Sequence, residues 1–590
     1  MKTKTIYQQS ALLSKVHLAI VFKNSILQYS LLIVLFCFCE ITTSKCIAQD
    51  TLPFIKPTKA DTLNGSITKE RAWWDIQRYD LTIAPNFHNK QLFGKNTITY
   101  HTVGQKFKPV MQIDLVAPLK IDSVIQRGVK IPFKQVGNFW YLTYKTKQQP
   151  KQNQVTIYFS GHPTESVKPP WDGGLVWSKD ALGRPWMSVA CQYKGASLWY
   201  PCKNALYDEP DMGASISVIV ADTLKAIANG RLLREVKMAN QQVMYTWNVN
   251  SPINHYGISF YIGNYIQIND VYQGKNGRLT MDYWVLDYHR QKAEMHLIPE
   301  ARKTMEALEY WYGPYPFYKD GFKIVDAPYI GMEHQSAIAY GSSYMKGTNL
   351  KGGDISNTGW GQKTDKIVVH EMAHEWFGNS ITANDIADRW IQEGFAGLAE
   401  GLVIEYFWGK LAGTAFLAGR FRTIENDQPI IARYGINEDG SADNYMKGWA
   451  ILQMVRSMID NDEKFRQILI GLNQLYYCQV IASKDIEAYL SKNVQFNLKP
   501  FFDQYLRSNQ VPVLEFYTEG NQLFYRYIDC IASFTLPVKT NYTGNAFIHP
   551  TTKWQSINIK DGVSNLPFKV DDQYYLKTHM NTIASRDKSN

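Results

Sequence analysis

The sequence predicts a multidomain α+β protein: a β-rich N-terminal saddle or sandwich, a mostly helical middle, and a small β domain at the end. Three observations predict it. At 590 residues the chain exceeds what one hydrophobic core serves, so about two to four domains are expected. From about Trp73 to Asp287 apolar and polar residues alternate between closely spaced turn residues, whereas helical spacing dominates residues 288–508. The composition, 45% hydrophobic and 20% charged with no low-complexity tract, is that of packed cores and argues against disorder.

The first 48 residues stand apart. Lys2, Lys4, Lys15 and Lys23 form a basic stretch, Ser30 to Cys39 is apolar, and Cys46-Ile47-Ala48 offers small residues at a cleavage site before Gln49. This is the pattern of an export signal. The apolar run is short for a bilayer and Glu40 ends it, so no stable membrane span is expected after cleavage; an uncleaved anchor is the rival. Lys45 argues against a lipid-modified Cys46. Export without a eukaryotic retention signal suggests a bacterial periplasmic or secreted protein. Cleavage removes five lysines and one glutamate, lowering the formal charge from +10 to +6. No basic block remains to suggest nucleic acid as a partner. The later cysteines, Cys191, Cys202, Cys478 and Cys530, are too few for a disulfide scaffold; Cys191 and Cys202 are close enough in sequence to pair, and connectivity stays open.

In chain order, residues 49–287 predict an all-β domain, with strands at Tyr79–Ile83, Asn96–Tyr100, Gln154–Phe159 and Ser215–Val220. Residues 288–508 predict the helical domain. It starts with a helix over Ala293–Trp311, followed by Tyr312-Gly313-Pro314-Tyr315-Pro316-Phe317, where two prolines enforce an extended corner. A last helix is expected around Phe501–Leu506. Residues 509–590 predict a small β domain with strands at Gln522–Tyr527 and Ser533–Val538 and a frayed end after Thr578.

The chemistry concentrates in a helix read over Ile367–Asn379, with Thr364 as its cap, Asp365 at the positive end of its dipole, and Gly378-Asn379 as its stop. His370 and His374 lie one turn apart on one face, the geometry two nitrogens need to grip one zinc. Glu371 points elsewhere on that rim, placed to take a proton from water. A bare His-Glu-x-x-His occurs by chance on amphipathic helices, so the third ligand decides. Glu393, nineteen residues after His374 in the helix-like Trp390–Ala396, supplies the carboxylate of a thermolysin-like His2Glu site holding one zinc per chain. Glu400, seven residues on and so on the same helix face, can orient a ligand from behind.

With these residues in place the chain resembles the M1 family of zinc aminopeptidases, which includes aminopeptidase N and leukotriene A4 hydrolase. Gly331-Met332-Glu333-His334 stands where the family carries Gly-Met-Glu-Asn. Tyr312–Phe317 is similar to the segment before it, Trp199-Tyr200-Pro201-Cys202 after Gln192 to a β-domain loop, and Asn444-Tyr445-Met446-Lys447-Gly448 to the segment bearing the catalytic tyrosine. The matches span about residues 75–510. The resemblance implies release of N-terminal amino acids from peptides with a free N-terminus. Glu333 would meet the α-ammonium with help from Gln192, and Gly331 and Met332 would let the substrate backbone approach. Glu371 would be the general base and Tyr445 the oxyanion donor.

Three departures qualify the resemblance. His334 replaces the usual Asn and adds an imidazole near the substrate amine. Gln392 replaces the Asn before the zinc glutamate. The stretch after 508 predicts only a small β domain where longer members continue into a large helical one, so a more open site is expected. Two rivals stand: epoxide hydrolysis, known in one family branch, and a zinc-bearing protein without catalysis. Side-chain preference and oligomeric state are not readable.

Overall fold

Alternation along the strand Trp74–Asn86 buries Tyr79, Leu81 and Ile83 on one face, and a bulge between Ile76 and Arg78 shifts the register against Gln91–Thr102. These two strands are central in an eight-stranded sheet that also holds the predicted strands at Gln152–Gly161 and Ala214–Ala221. A four-stranded sheet (Gly174–Lys179, Pro185–Ala190, Lys225–Ala228, Phe260–Gly263) and a three-stranded one (Val110–Asp114, Phe133–Val136, Phe139–Thr143) complete the β region. The computed structural model describes residues 56–582 apart from 105–109, 146–149, 193, 349–350, 439, 495 and 564; the expected signal segment 1–48 lies outside the described residues. The described residues from Thr58 onward form one compact unit. A short helix, α1 (Lys59–Gly65), precedes the first strand.

A five-stranded mixed sheet follows, in the order Tyr265–Gly274, Gly277–Leu286, Phe322–Asp326, Ile338–Tyr340, Gly331–Met332. It runs across residue 287: Met281–Trp284 pair in parallel with Phe322–Val325. The two-residue strand Gly331–Met332 is its edge.

Helices α2 (Ile298–Tyr312), α3 (Lys366–Ala373), α4 (Trp390–Trp408), α5 (Lys410–Arg420), α6 (Asp443–Ile459), α7 (Asp462–Leu475), α8 (Ser483–Asn493) and α9 (Lys499–Arg507) form the remainder of the middle region. Gly394 and Gly448 let α4 and α6 touch backbone to backbone: a Cβ on either would lie 2.9 Å from the other's main chain. The last region adds a four-stranded sheet of Val513–Glu519, Gln522–Ile528, Gln555–Asn558 and Lys577–Met580. Its buried Leu514, Tyr527, Phe534 and Leu536 join the helical core, while the N-terminal sheets share a second core with one face of the five-stranded sheet, including Val325, Met332 and Ala339. Among the described residues no helix is long and apolar enough to cross a membrane.

Two local expectations are corrected here and one open question is answered. Ser533–Val538 is largely turn and irregular chain, with only Val538–Lys539 extended; Phe534 and Leu536 are buried without ladder pairing. The strand continues past Thr578, because Lys577–Met580 pairs in parallel with Val513–Phe516; the expected frayed end beyond residue 582 lies outside the described residues. Cys191 and Cys202 are free, buried thiols.

Candidate active site and metal centre

Helix α3 is capped by Asp365, not Thr364: its carboxylate accepts from Ile367 N at 3.1 Å and Val368 N at 3.4 Å. Asp365 also accepts from the Tyr340 hydroxyl at 2.7 Å, so the cap ties the helix to the sheet beneath it. The helix closes at Ala373 with His374 as its last αR residue, earlier than the Gly378-Asn379 stop predicted. The following turn lets Phe377 O accept from His374 Nδ1 at 2.9 Å.

That contact sets a tautomer. With the His374 Nδ1 hydrogen given to a carbonyl, the lone pair sits on Nε2. His370 is set the same way by Glu400, whose Oε1 lies 3.0 Å from Nδ1, and Arg420 holds the other Glu400 oxygen at 2.7 Å. Both Nε2 atoms then face one carboxylate oxygen: Glu393 Oε2 is 3.4 Å from each. That oxygen is fully buried with no hydrogen-bond partner, a costly state for a carboxylate unless a cation takes it up. Two lone-pair nitrogens and one orphaned carboxylate oxygen fit zinc, and the donor atoms lie within 4.8 Å of one another.

The electrostatics agree. Burial disfavours the Glu393 anion, yet the two imidazoles outweigh it and hold the carboxyl far below the usual range. Burial likewise opposes charge on His374, but the Glu393 carboxylate raises it to about 10. Imidazoles pulled toward the cationic form by a carboxylate mark a pocket that favours positive charge. Glu371 moves the other way, to about 7, because burial dominates over His370 and leaves a base near neutrality.

The remaining predicted residues converge on this centre. Glu333, Glu371 and His374 also place donor atoms within 4.8 Å of one another. The Gln192 amide donates to Glu333 Oε1 and, at 2.9 Å, to Glu393 Oε1. Burial raises the Glu333 carboxyl above its ordinary value. The edge strand carrying Gly331 and buried Met332 lies on α3: a Cβ at Gly331 would meet Ile367 at 2.6 Å and Glu371 Oε1 at 3.1 Å, so only glycine permits that approach. Tyr445, half-buried on α6, stacks against His370 with ring centroids 6.0 Å apart and planes 20° from parallel. The Gly394–Gly448 contact brings α6 to the ligand Glu393 on α4.

The His334 ring is fully buried with Nδ1 2.6 Å from the Tyr261 hydroxyl; because that hydroxyl gives its own hydrogen to Ala337 O at 2.6 Å, it receives one from the ring. Gln392 donates to the Tyr256 hydroxyl at 2.6 Å. Sequence reasoning missed Arg420 and underused Asn379. The Asn379 amide joins Glu333 O at 2.8 Å to Glu375 Oε1 at 3.3 Å, fastening the amine-site strand to the end of α3. Position after the zinc motif could have flagged Asn379; Arg420, at no helical spacing from any ligand, gave no signal.

Residues 298–505 match the peptidase family M1 domain. The chain is 24% identical over 471 residues to leucyl aminopeptidase of Saccharolobus solfataricus, covering 76% of this chain and 55% of that one. It is 26% identical over 296 residues to endoplasmic reticulum aminopeptidase 1 of Mus musculus, covering 48% of this chain and 30% of that one. It thus spans about half or less of these relatives' lengths. The fold is similar to that of an M1 zinc metallopeptidase mutant from Deinococcus radiodurans bound to a Tyr-Ser-Ala substrate, with TM-score 0.60 and 18% identity over 74% of this chain and 95% of that one.

Proposed function

The chain carries a peptidase family M1 domain, and from that premise we propose that it is a zinc metalloaminopeptidase releasing N-terminal amino acids from peptides. One observation carries the reading: a buried Glu333 carboxylate, joined by Gln192 to the ligand Glu393, stands beside the His370, His374 and Glu393 triad. Glu333, Glu371 and Glu393 crowd three carboxylates into one buried pocket. A divalent zinc and one substrate ammonium neutralise that charge; an endopeptidase substrate, bringing no ammonium, leaves one anion unpaired.

Held by His370, His374 and Glu393, zinc would supply Lewis acidity, lowering the pKa of a water and polarising the scissile carbonyl. Glu371 takes the proton of the attacking water and returns it to the leaving amine. Tyr445 donates its hydroxyl hydrogen to the carbonyl oxygen as that oxygen gains charge. Glu333 and Gln192 hold the α-ammonium, so the peptide can extend only toward its C-terminus. The free edge of Gly331–Met332 offers backbone groups to the substrate main chain.

The test is hydrolysis of aminoacyl-naphthylamides beside an N-acetylated peptide, before and after chelation by phenanthroline. Release from free amines only, lost on chelation and restored by zinc, is the expected result. Cleavage of the blocked peptide at a comparable rate removes Glu333 from its role, and a zinc-loaded protein silent on every substrate removes the peptidase. The basic and apolar segment before Gln49 supports export as part of the same proposal; N-terminal sequencing of protein recovered outside the cytoplasm should begin at Gln49, and a retained Met1 would refute it.

A further inference from the structure

We propose that Tyr575, just before the last strand, is a positioning residue for the reaction: it holds the first turn of α6 so that Tyr445 stays stacked beside His370. The proposal rests on the role given to Tyr445 above and adds the residue that supports it from behind.

Tyr445 lies in the first turn of α6, and a helix end frays unless something outside it holds it. Here the hold comes from the chain that leads into the helix. Asp443, the buried first residue of α6, turns its carboxylate back onto that chain. Its Oδ1 accepts from Glu425 N at 3.0 Å and its Oδ2 from Asn426 N at 2.6 Å. Asn426 sits at φ +52°, a left-handed conformation that asparagine tolerates better than most residues. Its side-chain amide donates to the Tyr575 hydroxyl at 2.6 Å. One residue thus links Tyr575 to the start of α6.

The Tyr575 ring reaches the same helix by a second route. Its centroid lies 5.4 Å from that of Phe421, which stacks on the buried Trp449 of α6 at 5.3 Å with planes 8° apart. Asp443 stands before Tyr445 and Trp449 after it, so the two routes bracket the tyrosine. Tyr575 is itself fixed, since its carbonyl accepts from the Tyr505 hydroxyl of α9 at 2.6 Å. On the other side of Tyr445, His370 is held by Glu400 at 3.0 Å and cannot follow a shift of α6. A displacement of about 1 Å in such a pair can cost about 10²-fold in rate. Gln573 offers the contrast. It accepts from Gln453 Nε2 at 2.7 Å, but Gln453 lies about two helical turns beyond Tyr445.

The test is a double-mutant cycle of Tyr575→Phe and Tyr445→Phe, read on one aminoacyl-naphthylamide. Tyr575→Phe keeps the ring and loses the hydroxyl; it should lower kcat about 3- to 10-fold, with KM and zinc content unchanged. In the Tyr445→Phe background it should leave kcat where Tyr445→Phe alone puts it, because it acts through the missing hydroxyl. Asn426→Gly, which keeps the backbone conformation and removes the amide, should reproduce the loss. Gln573→Ala, which cuts a bond from the same segment to the same helix, should leave kcat unaltered. An unchanged kcat in Tyr575→Phe, a loss that adds in full to that of Tyr445→Phe, or an equal loss in Gln573→Ala overturns the assignment. Calorimetry of 1-aminoethylphosphonate, whose tetrahedral oxygens stand in for the oxyanion, reads the same cycle on the zinc-loaded protein without turnover. A protein silent on every amide whose phosphonate affinity still falls in Tyr575→Phe, and only while Tyr445 is present, keeps the positioning role and removes the peptidase reading; an affinity that Tyr575→Phe leaves alone removes the positioning role.

Discussion

His370, His374, Glu393 and Glu400 come from one short stretch of two helices, whereas Glu333 and Gln192 reach the same cleft from segments 141 residues apart in different regions. In the metal half, helical rise sets the spacing of the donors, and partners behind them, Glu400 and Phe377, set each tautomer. In the amine half no local periodicity brings the groups together; Gln192 meets Glu333 only because the β region packs on the five-stranded sheet. Damage to the first half should therefore appear in metal content and kcat, and damage to the second in KM and substrate choice.

The largest effect expected is on Glu371, which neither half can replace. Glu371→Gln should lower kcat/KM by about 10³-fold or more while zinc content, measured by atomic absorption, stays at one per chain; loss of zinc would make Glu371 a metal-site residue and blur the comparison. Tyr445→Phe should lower kcat by about 10²- to 10³-fold with KM little changed, and an unaltered kcat in steady-state assays would remove the hydroxyl from the reaction. Glu333→Gln should raise KM for free-amine substrates about 10- to 100-fold, the worth of a hydrogen bond to a charged group, and narrow the gap to N-acetylated peptides; zinc retention there shows that the halves are separable. Arg420→Met should weaken zinc binding about 10- to 100-fold in a chelator competition, a readout that Glu333→Gln should leave alone.

The smallest effect concerns the contact between the regions. Burial raises the Glu209 carboxyl to about 8 from an ordinary 4.5. A group that binds its proton more tightly folded than unfolded costs stability as pH rises through that window. The melting temperature of the wild type should fall between pH 5 and pH 8 by a few degrees more than that of Glu209→Gln; parallel melting curves would show that Glu209 does not titrate in the fold.

Individual residues show how far the sequence carried. The clustering of His370, His374 and Glu393, with Glu400 behind His370, was legible because helix geometry converts spacing into direction. The α3 cap went to Asp365 because its carboxylate also accepts from Tyr340 in the sheet below, a partner 25 residues away. His579 and Met580, past the Thr578 at which fraying was expected, are held by pairing with Glu515 and Phe516, not by their own sequence. The partner of His334 is Tyr261, 73 residues earlier, a contact that its neighbours in the chain could not reveal.

By itself the sequence determined the order of β, helical and β regions and the placing of His370 and His374 on one helix face with Glu371 between them, since these follow from local periodicity within a turn or two of helix. Tertiary structure alone decided the Gln192–Glu333 pair, the Arg420 support behind Glu400, the Gly394–Gly448 contact beneath Tyr445 and the seating of α1 at Gly65 against the Ile436 backbone. Each of these joins segments far apart in the chain, and the packing energy that holds them together is a property of surfaces that exist only once the chain has folded.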